Sequence, residues 1–565
     1  MAAIDKIISQ MTIEQKVGQL FTLGFTGGVI TPEVIKMISN FNCGGLRITP
    51  NVKVSYSNYK QIKAKTTSRP QDVVPIPSVN LSPYAHLDVL NEFQNIATSR
   101  NFGIPLHISL DWEGGISADI CRGGYPLFPS AMGLACSKDA KMIETIMCCS
   151  GKLLRASGIT NIHSPVLDIN SNPENPEINI RSYGDTPIKV AHYAKAALKG
   201  YLKGGIIATA KHFPGSGHTH KDAHYYTIVL DKSKKELMKN EIYPYIELIK
   251  EGLPSIMLGH LICPALDNSR LPATISKKII QDFIRKELGF EGVVTTDSMT
   301  MEAMQKICPA TEACALAIQA GVDMVLYKTE DLELVKKTIG YAISMVKNRK
   351  ISEDQIDASV KRVLVMKNNI NLFQTKGYNN PEILQKMLTS EKIHKLAQKA
   401  ADNAALLIRD RKKLLPLKPT QKILVVEQSM FTARYCNDEY FHPYMLWEML
   451  RKYYPGTELF KLDFYGNDNN LCELLKIIPE FDIVIATNMY NRGSFPNTQF
   501  LNKLADKVQK LVIITNTPYP LTVSKKMDGV LCLFSKFTPS LKTAVEILFD
   551  TKKASKNWPI KFRPE

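Results

Sequence analysis

Residues 206–224 read Ile-Ile-Ala-Thr-Ala-Lys-His-Phe-Pro-Gly-Ser-Gly-His-Thr-His-Lys-Asp-Ala-His. The apolar run at 206–208 is typical of a buried strand, and it stops at a Lys-His pair followed by a Pro/Gly loop without regular structure. We therefore expect reactive groups on a mobile loop above a rigid strand. The spacing of Asp222 and His224 lets the carboxylate hold one imidazole nitrogen while the other exchanges a proton near neutral pH. This tripeptide predicts an acid/base dyad.

The same stretch holds four histidines within thirteen residues, which makes a metal site an alternative. Imidazole together with carboxylate suits zinc and related ions. However, the spacing His-x5-His-x-His-x3-His on a Gly-rich loop matches no established ligand pattern. We therefore expect no metal and no cofactor, while a polar surface loop and a metal-dependent barrel hydrolase stay open as alternatives.

Lys-His-Phe-Pro-Gly at 211–215, with Asp222 and His224 downstream, resembles the signature of the family 3 glycoside hydrolases. The similar branch contains bacterial β-N-acetylglucosaminidases, whose pattern is Lys-His-Phe-Pro-Gly-His-Gly, four residues, then Asp-Ser-His. Here Ser216 replaces the histidine of Gly-His-Gly and Ala223 replaces the serine. Neither change removes the dyad, so both bear on specificity more than on reaction class.

Composition bounds the class of protein. The 565 residues suffice for two domains, and 44% apolar residues can build sizeable cores. The charge of +17 comes from lysines spread along the chain without a basic stripe interleaved with aromatics, so we expect no nucleic-acid partner. No apolar run reaches membrane-spanning length, and the first residues lack a signal-peptide pattern, so we expect no membrane association. Eleven scattered cysteines indicate reduced thiols and predict the cytoplasm.

A carboxylate follows the predicted strand at 104–110, where Asp111 begins Asp-Trp-Glu-Gly-Gly. Such a group can accept two sugar hydroxyl hydrogen bonds, and charge-assisted bonds of this kind contribute about 1.5–3 kcal/mol each. In the family, the first acid of Asp-Gln-Glu-Gly-Gly binds the non-reducing sugar, and this role carries over to Asp111. Trp112 stands where glutamine is common. An acidic turn after a strand is the alternative.

Further segments follow in family order. Ser-Pro-Val-Leu-Asp at 164–168, Asn-Pro at 172–173 and Arg-Ser-Tyr-Gly at 181–184 are similar to the family's Pro-Val-Leu-Asp-Val, Asn-Pro and Arg-Ser-Phe-Gly run. The resemblance implies that Arg181 binds sugar, and that Lys211 and His212 bind sugar hydroxyls. We expect Asp168 to be a structural acid that pairs within the top of a barrel.

Asp297 follows a predicted strand at 292–296, and Met301 lies four residues later. This resembles the nucleophile segment of the family, which implies that Asp297 is the covalent nucleophile of a retaining mechanism and that Met301 lies in the substrate site. Without the other segments, a helix N-cap would be the better interpretation of Asp297.

Strands and helices alternate over residues 1–372, and the candidate residues lie just beyond strand carboxyl ends. This pattern predicts an α/β fold with a (β/α)8 TIM-type barrel. We expect a helix within 11–24, capped by Thr12, and a first barrel strand at 43–48. An insert at 49–84 would edge the active-site mouth. A linker at 373–395 would lead to a smaller αβα sandwich at 396–565, whose parallel strands are 422–426, 482–486, 511–515 and 529–533.

These observations predict a retaining, exo-acting β-N-acetylglucosaminidase that takes a small saccharide, with muropeptides of cell-wall recycling as one candidate substrate. One alternative is a phosphorylase that uses the same residues, with phosphate as acceptor, because an imidazole base does not repel an incoming phosphate as a carboxylate would. An alternative of another class is a saccharide-binding protein without turnover. The sequence makes no prediction of the oligomeric state.

Overall fold

A computed structural model describes residues 2–50, 82–121, 123–428, 444–462, 466–490 and 496–564. The chain divides into two compact units, each assembled from separate segments. The first unit comprises Met1–Trp112, Ile143–Ile169 and Pro187–Thr389, and the second comprises Glu113–Met142, Asn170–Thr186 and Ser390–Glu565. Most of the insert expected at 49–84 lies outside the described residues. The segment 373–395, expected as a linker, contains the helix Pro381–Leu388 and the start of the helix Glu391–Ala404.

Eight parallel strands of the first unit form a nearly closed barrel in which neighbours in sequence are neighbours in space. A bridge between Thr295 and Met324 joins the seventh strand to the residue before the eighth. The predicted TIM-type barrel is thereby confirmed. The strands are β1 (Phe21–Thr26), β2 (Gly45–Thr49), β3 (His107–Leu110), β4 (Asn161–Ile162), β5 (Ile207–Phe213), β6 (Ser255–Leu258), β7 (Val293–Thr296) and β8 (Val325–Tyr327).

The helix expected within 11–24 and capped by Thr12 is confirmed, but the position of the first barrel strand was wrong. The helix at the start of the chain ends at Gln19, after a capping box of Thr12 and Gln15, and Phe21–Thr26 is the first strand. The strand expected as the first, now Gly45–Thr49, is the second. The run at 21–26 is apolar enough for either structure, and its pairing with both β2 and β8 decides the outcome.

The strand β5 also extends further than predicted. It continues through Lys211, His212 and Phe213, and every residue of Ile207–Phe213 is buried. Lys211 and His212 therefore lie on the rigid strand, and only the residues that follow Phe213 form the loop.

Helices alternate with the barrel strands along the chain. Besides Pro381–Leu388, the helices of the first unit are Ala2–Gln10, Ile13–Gln19, Pro32–Ser39, Pro83–Thr98, Ala140–Ala156, Pro187–Lys203, Lys234–Lys239, Tyr243–Lys250, Lys278–Glu287, Glu302–Gln305, Ala310–Ala320, Leu332–Lys347, Glu353–Asn369 and Leu372–Thr375. Short 3-10 turns lie at Asn101–Gly103 and Ala273–Ile275, and two-residue strands at Ile228–Val229 and Leu261–Ile262 pair with each other. In the described part of the chain, no helix has the length and apolar character needed to cross a bilayer.

The second unit holds a six-stranded sheet in which the four predicted strands are confirmed as mutually parallel neighbours. Two edge strands were missed, one of which, Leu406–Asp410, runs antiparallel to its neighbour. Across the sheet the order is β9 (Leu406–Asp410), β14 (Gly529–Cys532), β13 (Leu511–Thr515), β12 (Ile483–Asn488), β10 (Ile423–Gln428) and β11 (Glu458–Leu462).

Apolar faces of these strands form a core with Leu474, Phe500 and Leu504 from the helices of the same unit. Burial on both faces explains the nearly continuous Val/Ile/Leu runs that made the four central strands predictable. The helices of this unit are Ala131–Ala135, Glu391–Ala404, Met445–Tyr453, Asp468–Ile477, Thr498–Ala505 and Thr538–Leu548. Short 3-10 turns lie at Asn179–Arg181 and Ile478–Glu480, and short strands at Trp112–Gly114 and Ser117–Ala118.

Candidate active site

Three strands of the barrel bring two cations onto one carboxylate. Asp111, directly after β3, accepts from Lys211 Nζ of β5 at 2.7 Å and from Arg47 Nη2 of β2 at 2.7 Å. His163 Nδ1, after β4, lies 3.4 Å from the same carboxylate. The Asp111 side chain keeps 17% of its surface exposed, whereas those of Lys211 and Arg47 keep 3% and 6%. The Asp111 carboxylate is therefore more exposed than the two cations that bind it.

The charge state of Asp111 follows from these neighbours. Burial alone would raise its pKa, but Lys211 and Arg47 hold the pKa well below the usual carboxyl range. Burial also lowers the pKa of His163, against the opposing attraction of Asp111. Asp111 is therefore an ionised acceptor that can take hydrogen bonds from hydroxyl groups at any physiological pH.

Asp168 organises the carboxyl end of β5 and the loop after it. Its Oδ2 lies 2.7 Å from His212 Nδ1 and accepts from the His212 backbone N–H at 3.1 Å. Its Oδ1 accepts from the Ser216 N–H at 2.7 Å and from the Ser216 hydroxyl at 3.3 Å. Because a carboxylate only accepts, Nδ1 of His212 carries the proton and Nε2 is the nitrogen left to face a ligand. The expected pairing of Asp168 is present.

The loop after β5 packs closely against the backbone of Ile169, which precedes β5 in the chain. A Cβ at position 217 would lie 2.0 Å from the Ile169 carbonyl oxygen, so only glycine fits there. Ser216 fills the position of the family's histidine with a side chain short enough to point back to Asp168. The Gly-Ser-Gly sequence thus fits a loop pressed against the barrel.

The contact predicted from the spacing of Asp222 and His224 is present. Asp222 Oδ1 lies 2.7 Å from His224 Nδ1 and accepts from the His224 backbone N–H at 2.9 Å. The carboxylate fixes the tautomer with the proton on Nδ1, so proton exchange with a ligand falls to Nε2. The His224 side chain is 24% exposed, compared with 10% for Asp222. An exposed imidazole on a buried carboxylate is the arrangement that a general acid/base needs.

Asp297 directly follows β7, and its N–H donates to the Leu258 carbonyl of β6 at 2.8 Å. Its Oδ1 accepts from the Ser298 N–H at 2.6 Å. Burial would raise the pKa of Asp297, but His212, His260 and His224 lower it far more, so its pKa lies below the ordinary value. The strand end therefore presents an ionised carboxylate among three imidazoles.

His260, just after β6, supports this segment. Its Nε2 lies 3.0 Å from the Ser298 carbonyl oxygen and its Nδ1 lies 3.1 Å from the Thr274 hydroxyl. Because the carbonyl only accepts, Nε2 carries the proton. Burial lowers the pKa of His260, which favours the neutral ring. Met301 is buried, and its N–H donates to the same Ser298 carbonyl at 3.0 Å. The turn that carries Asp297 is thereby fixed on both sides.

Arg181 belongs to the second unit and is almost fully buried. Its guanidinium forks onto Glu113, with Nε at 2.7 Å and Nη2 at 3.0 Å from the two carboxylate oxygens, and Nη1 donates to the Glu177 carbonyl at 3.3 Å. The guanidinium that the resemblance assigns to sugar binding is thus paired with a carboxylate of the same unit. The first unit holds the other predicted residues.

Sequence reasoning missed Arg47, His163 and His260 as site residues. Arg47 is a charged residue inside the short apolar strand Gly45–Thr49, where it is buried. The signal in the sequence was a charge within an apolar run, because charged residues are rarely buried unless they are paired. His163 directly follows β4, and His260 lies two residues after the end of β6, at the edge where Asp111 and Asp297 lie. In a barrel of this type, a polar residue at that position marks the site as clearly as a carboxylate does.

Three known proteins are similar to this chain over half of its length or more. A solved family 3 β-N-acetylglucosaminidase from Paenibacillus sp. str. FPU-7 superposes with a TM-score of 0.83 at 25% identity, over 97% of this chain and 99% of that one. β-Hexosaminidase A of Pseudoalteromonas piscicida is 30% identical over 303 residues, 50% of this chain and 51% of the relative. A β-N-acetylglucosaminidase/β-glucosidase of Cellulomonas fimi is 29% identical over 324 residues, 56% of each chain.

The chain thus spans about half the length of these curated relatives. The sequence profile described as the glycosyl hydrolase family 3 N-terminal domain matches residues 12–366, which include the whole barrel. This match covers well over half of the chain and contains Asp111, Asp222, His224 and Asp297. The protein therefore belongs to glycosyl hydrolase family 3.

Proposed function

We propose that the protein is a retaining, exo-acting β-N-acetylglucosaminidase that removes terminal β-linked N-acetylglucosamine from saccharides. One observation carries the proposal: Asp222 holds Nδ1 of His224 at 2.7 Å, and His224 is one of the imidazoles that lower the pKa of Asp297. A carboxylate that needs no deprotonation beside a held imidazole provides the two groups of a double-displacement mechanism.

In the first step, a carboxylate oxygen of Asp297 attacks the anomeric carbon, and the bond from that carbon to the leaving oxygen breaks. Nε2 of His224 gives its proton to the leaving oxygen, while Asp222 stabilises the ring in the required tautomer. In the second step, His224 takes a proton from water, which attacks the same carbon and releases Asp297. The sugar leaves with its anomeric configuration retained.

The charged cluster around Asp111 would bind the terminal sugar. Asp111 would accept from two hydroxyl groups, and Lys211 would donate to one of their oxygens while it also holds Asp111. The imidazole of His212, fixed through Nδ1 by Asp168, would offer Nε2 to a third hydroxyl. Met301 completes the proposed binding set within the first unit, and Arg181 stays a predicted sugar-binding residue of the second.

The names of the relatives support N-acetylglucosamine as the sugar. The solved enzyme with a TM-score of 0.83 and both curated relatives are named for β-N-acetylglucosaminidase or β-hexosaminidase activity. We propose muropeptides as the substrate and the cytoplasm as the compartment. Eleven cysteines scattered without a repeating spacing fit a reducing compartment.

We also propose residues 1–372 as the catalytic domain, 373–395 as a linker and 396–565 as the second domain. The division between the two compact units at Thr389 and Ser390 falls inside that linker. The proposed nucleophile and the proposed acid/base both belong to the first unit.

The first test measures turnover of an activated aryl β-N-acetylglucosaminide and of the matching aryl β-glucoside. We expect release of N-acetylglucosamine, with a higher kcat/KM than for glucose. Tight binding of the sugar without turnover would contradict the proposal and favour a saccharide-binding protein.

The role of His224 is tested by His224→Ala on substrates with poor and good leaving groups. Loss of the acid should lower kcat on an alkyl glycoside by about 10²–10⁴-fold and affect an activated aryl glycoside far less, because the aryl oxygen leaves without a proton. His220→Ala is the matched control, since His220 is an exposed imidazole of the same loop. Equal losses on both substrates would contradict the acid assignment.

Phosphorolysis is the second candidate function, favoured by the imidazole that replaces a carboxylate base. The side chains that lower the pKa of Asp297 most are the imidazoles of His212, His260 and His224, which would tolerate a phosphate acceptor better than a second carboxylate would. The same assay with inorganic phosphate distinguishes the two. N-acetylglucosamine 1-phosphate as the main product would replace hydrolysis by phosphorolysis, whereas free sugar at unchanged rate would support the hydrolase.

A further inference from the structure

Arg47 is a buried charged residue that has no role in the mechanism above. It lies in β2, whose other residues are uncharged, and its side chain keeps 6% of its surface exposed. Taking a guanidinium out of water costs free energy, and apolar residues in place of a buried ion pair are often at least as stabilising. A contribution to stability alone is therefore a weak explanation for a charge at this position.

The side chain of Arg47 runs along the strand direction to reach Asp111. In the parallel pairing of β2 with β3, Arg47 lies opposite Ser109, and Asp111 follows Ser109 by two residues. The guanidinium spans this offset, because Nη2 donates to Asp111 Oδ2 at 2.7 Å. Nη1 of the same group donates to the Ile48 carbonyl of β2. Two nitrogens of one planar group are therefore held at the same time, which fixes the plane of the guanidinium.

The two oxygens of the Asp111 carboxylate have different cationic partners. Oδ1 accepts from Lys211 Nζ at 2.7 Å and lies 3.4 Å from His163 Nδ1. Oδ2 accepts from Arg47. Contacts at both oxygens oppose rotation of the carboxylate group. Asp111 is therefore held in one orientation by residues from separate strands.

Lys211 and Arg47 differ in what else they can contact. In the proposed function Lys211 donates to a sugar oxygen as well as to Asp111, and an ammonium on a flexible stem can divide its donors in this way. The guanidinium of Arg47 is tied to its own strand through Ile48 and is buried. Its effect on a ligand therefore passes through Asp111. While Lys211 turns toward a sugar, Arg47 would still hold the carboxylate.

We propose that Arg47 is a positioning residue, which holds Asp111 in the orientation and the charged state that bind the terminal sugar. This inference rests on the proposed glycosidase function and adds a residue to it. Arg47 would not contact the sugar and would take no part in proton transfer. Its loss would weaken the binding of the sugar in both the ground state and the transition state.

The first test measures kcat and KM on the activated aryl β-N-acetylglucosaminide. Arg47→Met should lower kcat/KM by roughly tenfold, mainly through a higher KM, because the lost interaction is made before and during bond cleavage. Arg47→Lys should recover part of the loss, since it keeps the charge but lacks the planar fork. Arg411→Met, at an exposed arginine, is the matched control and should keep the native values. Melting curves set an assay temperature at which every variant is folded.

A double-mutant cycle tests whether Arg47 acts through Asp111. The effect of Arg47→Met is measured in the native protein and again in the variant Asp111→Asn. If the two side chains act as one unit, Arg47→Met should change kcat/KM less than about twofold once the carboxylate is gone. A purely structural arginine would cause the same loss in both backgrounds. Equal losses therefore overturn the inference.

The pH dependence of kcat/KM provides a readout that packing alone would not change. Burial would raise the pKa of Asp111, and the charges of Lys211 and Arg47 hold this pKa well below the usual carboxyl range. Removing one cation should raise the pKa toward its ordinary value of about 4. The ratio of variant to native kcat/KM should therefore fall from pH 7 to pH 4 in Arg47→Met and in Arg47→Gln, which can still donate a hydrogen bond. Arg47→Lys should keep the ratio constant, and a constant ratio in both uncharged variants overturns the inference.

The outcomes separate this inference from the proposal beneath it. Native kcat and KM in Arg47→Met overturn the role of Arg47 and leave the glycosidase proposal standing. A native protein that turns over no aryl glycoside overturns both. The expected result combines a higher KM, a loss that depends on Asp111 and a ratio that depends on pH.

Discussion

The two ends of the barrel hold buried lysines in opposite ways. At the carboxyl ends of the strands, Lys211 Nζ is 2.7 Å from the Asp111 carboxylate. At the amino ends, Lys367 Nζ donates to Gln19 Oε1 at 3.1 Å, to the Gly44 carbonyl at 2.8 Å and to the Pro105 carbonyl at 2.9 Å. These acceptors precede β1, β2 and β3. Lys211 thus pairs with the ionised Asp111 at the proposed substrate site. Lys367 instead connects the residues that precede three strands.

This difference indicates separate roles for the carboxyl and amino ends of the barrel strands. The pairing at the carboxyl end leaves Asp111 partly exposed, so its charge can act on a substrate. At the amino end Lys367 is fully buried, and burial lowers its pKa well below the usual value. A buried cation bound by uncharged carbonyl groups costs desolvation energy and returns only hydrogen bonds. We therefore expect changes at one end to alter catalysis and changes at the other to alter stability.

Asp297→Ala should have the largest effect. Loss of the proposed nucleophile should lower kcat by about 10⁴-fold or more, as removal of a covalent catalyst does in other enzymes. Thermal unfolding should stay within a few degrees of the native protein, because the site at this end is built for chemistry. The measurement is kcat on the aryl glycoside together with a melting curve. A variant that melts early but retains kcat would reverse the roles of the two ends.

Lys367→Met should lower the free energy of unfolding by about 3 kcal/mol, since it leaves three buried acceptors without their donor. Denaturant unfolding measures this loss, and Lys337→Met, at an exposed lysine, is the control. At temperatures where the variant stays folded, kcat should be unchanged. A fall in kcat with unchanged stability would show that the amino end takes part in catalysis.

The pH dependence of the same variant sharpens the comparison. Because the pKa of Lys367 is depressed in the folded protein, the unfolded chain binds more protons between that pKa and about 10.5. Stability from this site therefore rises as pH rises through that window. The difference in unfolding free energy between the native protein and Lys367→Met should grow from pH 7 to pH 10. A constant difference would mean that Lys367 keeps its ordinary pKa.

Asp111→Asn should lower kcat/KM by roughly 30-fold, about 2 kcal/mol, because an amide loses the charged acceptor and leaves Lys211 and Arg47 uncompensated. The pKa of Asp111 is depressed, so its contribution to stability is present above the ordinary carboxyl pKa and lost as pH falls through the folded value. The stability difference from the native protein should therefore narrow in acid. Kinetics at pH 7 and unfolding at two pH values measure both effects.

Ser216→Ala should have the smallest effect. The hydroxyl contact to Asp168 at 3.3 Å is long, and the shorter bond from the Ser216 backbone N–H at 2.7 Å survives the change. We expect a loss of less than about 1 kcal/mol in stability and less than threefold in kcat/KM. A larger kinetic loss would mean that the serine contacts the substrate, and Ala223→Ser provides a control on the same loop.

Local sequence patterns predicted one part of the site and distant pairings determined the rest. Asp222 and His224 meet because only Ala223 separates them along the chain, so the sequence alone was sufficient. The strand Phe21–Thr26 was missed because an apolar run after a helical pattern carries no boundary signal, and the strand forms through its pairing with β2 and β8. Arg47 joins Asp111 across 64 residues. No local pattern indicates such a partner.

The contacts of Asp168 have a consequence for protein engineering. The loop after β5 looks like a portable module, since a few residues carry the proposed acid/base and its orienting carboxylate. Yet its first turn is attached to Asp168, 44 positions before His212 and 48 before Ser216. Transplanting residues 211–224 into another barrel would need that aspartate, and the close passage of position 217 beside Ile169, in the recipient scaffold. The smallest part that could be exchanged between enzymes is therefore the loop after β5 together with the segment after β4 that contains Asp168.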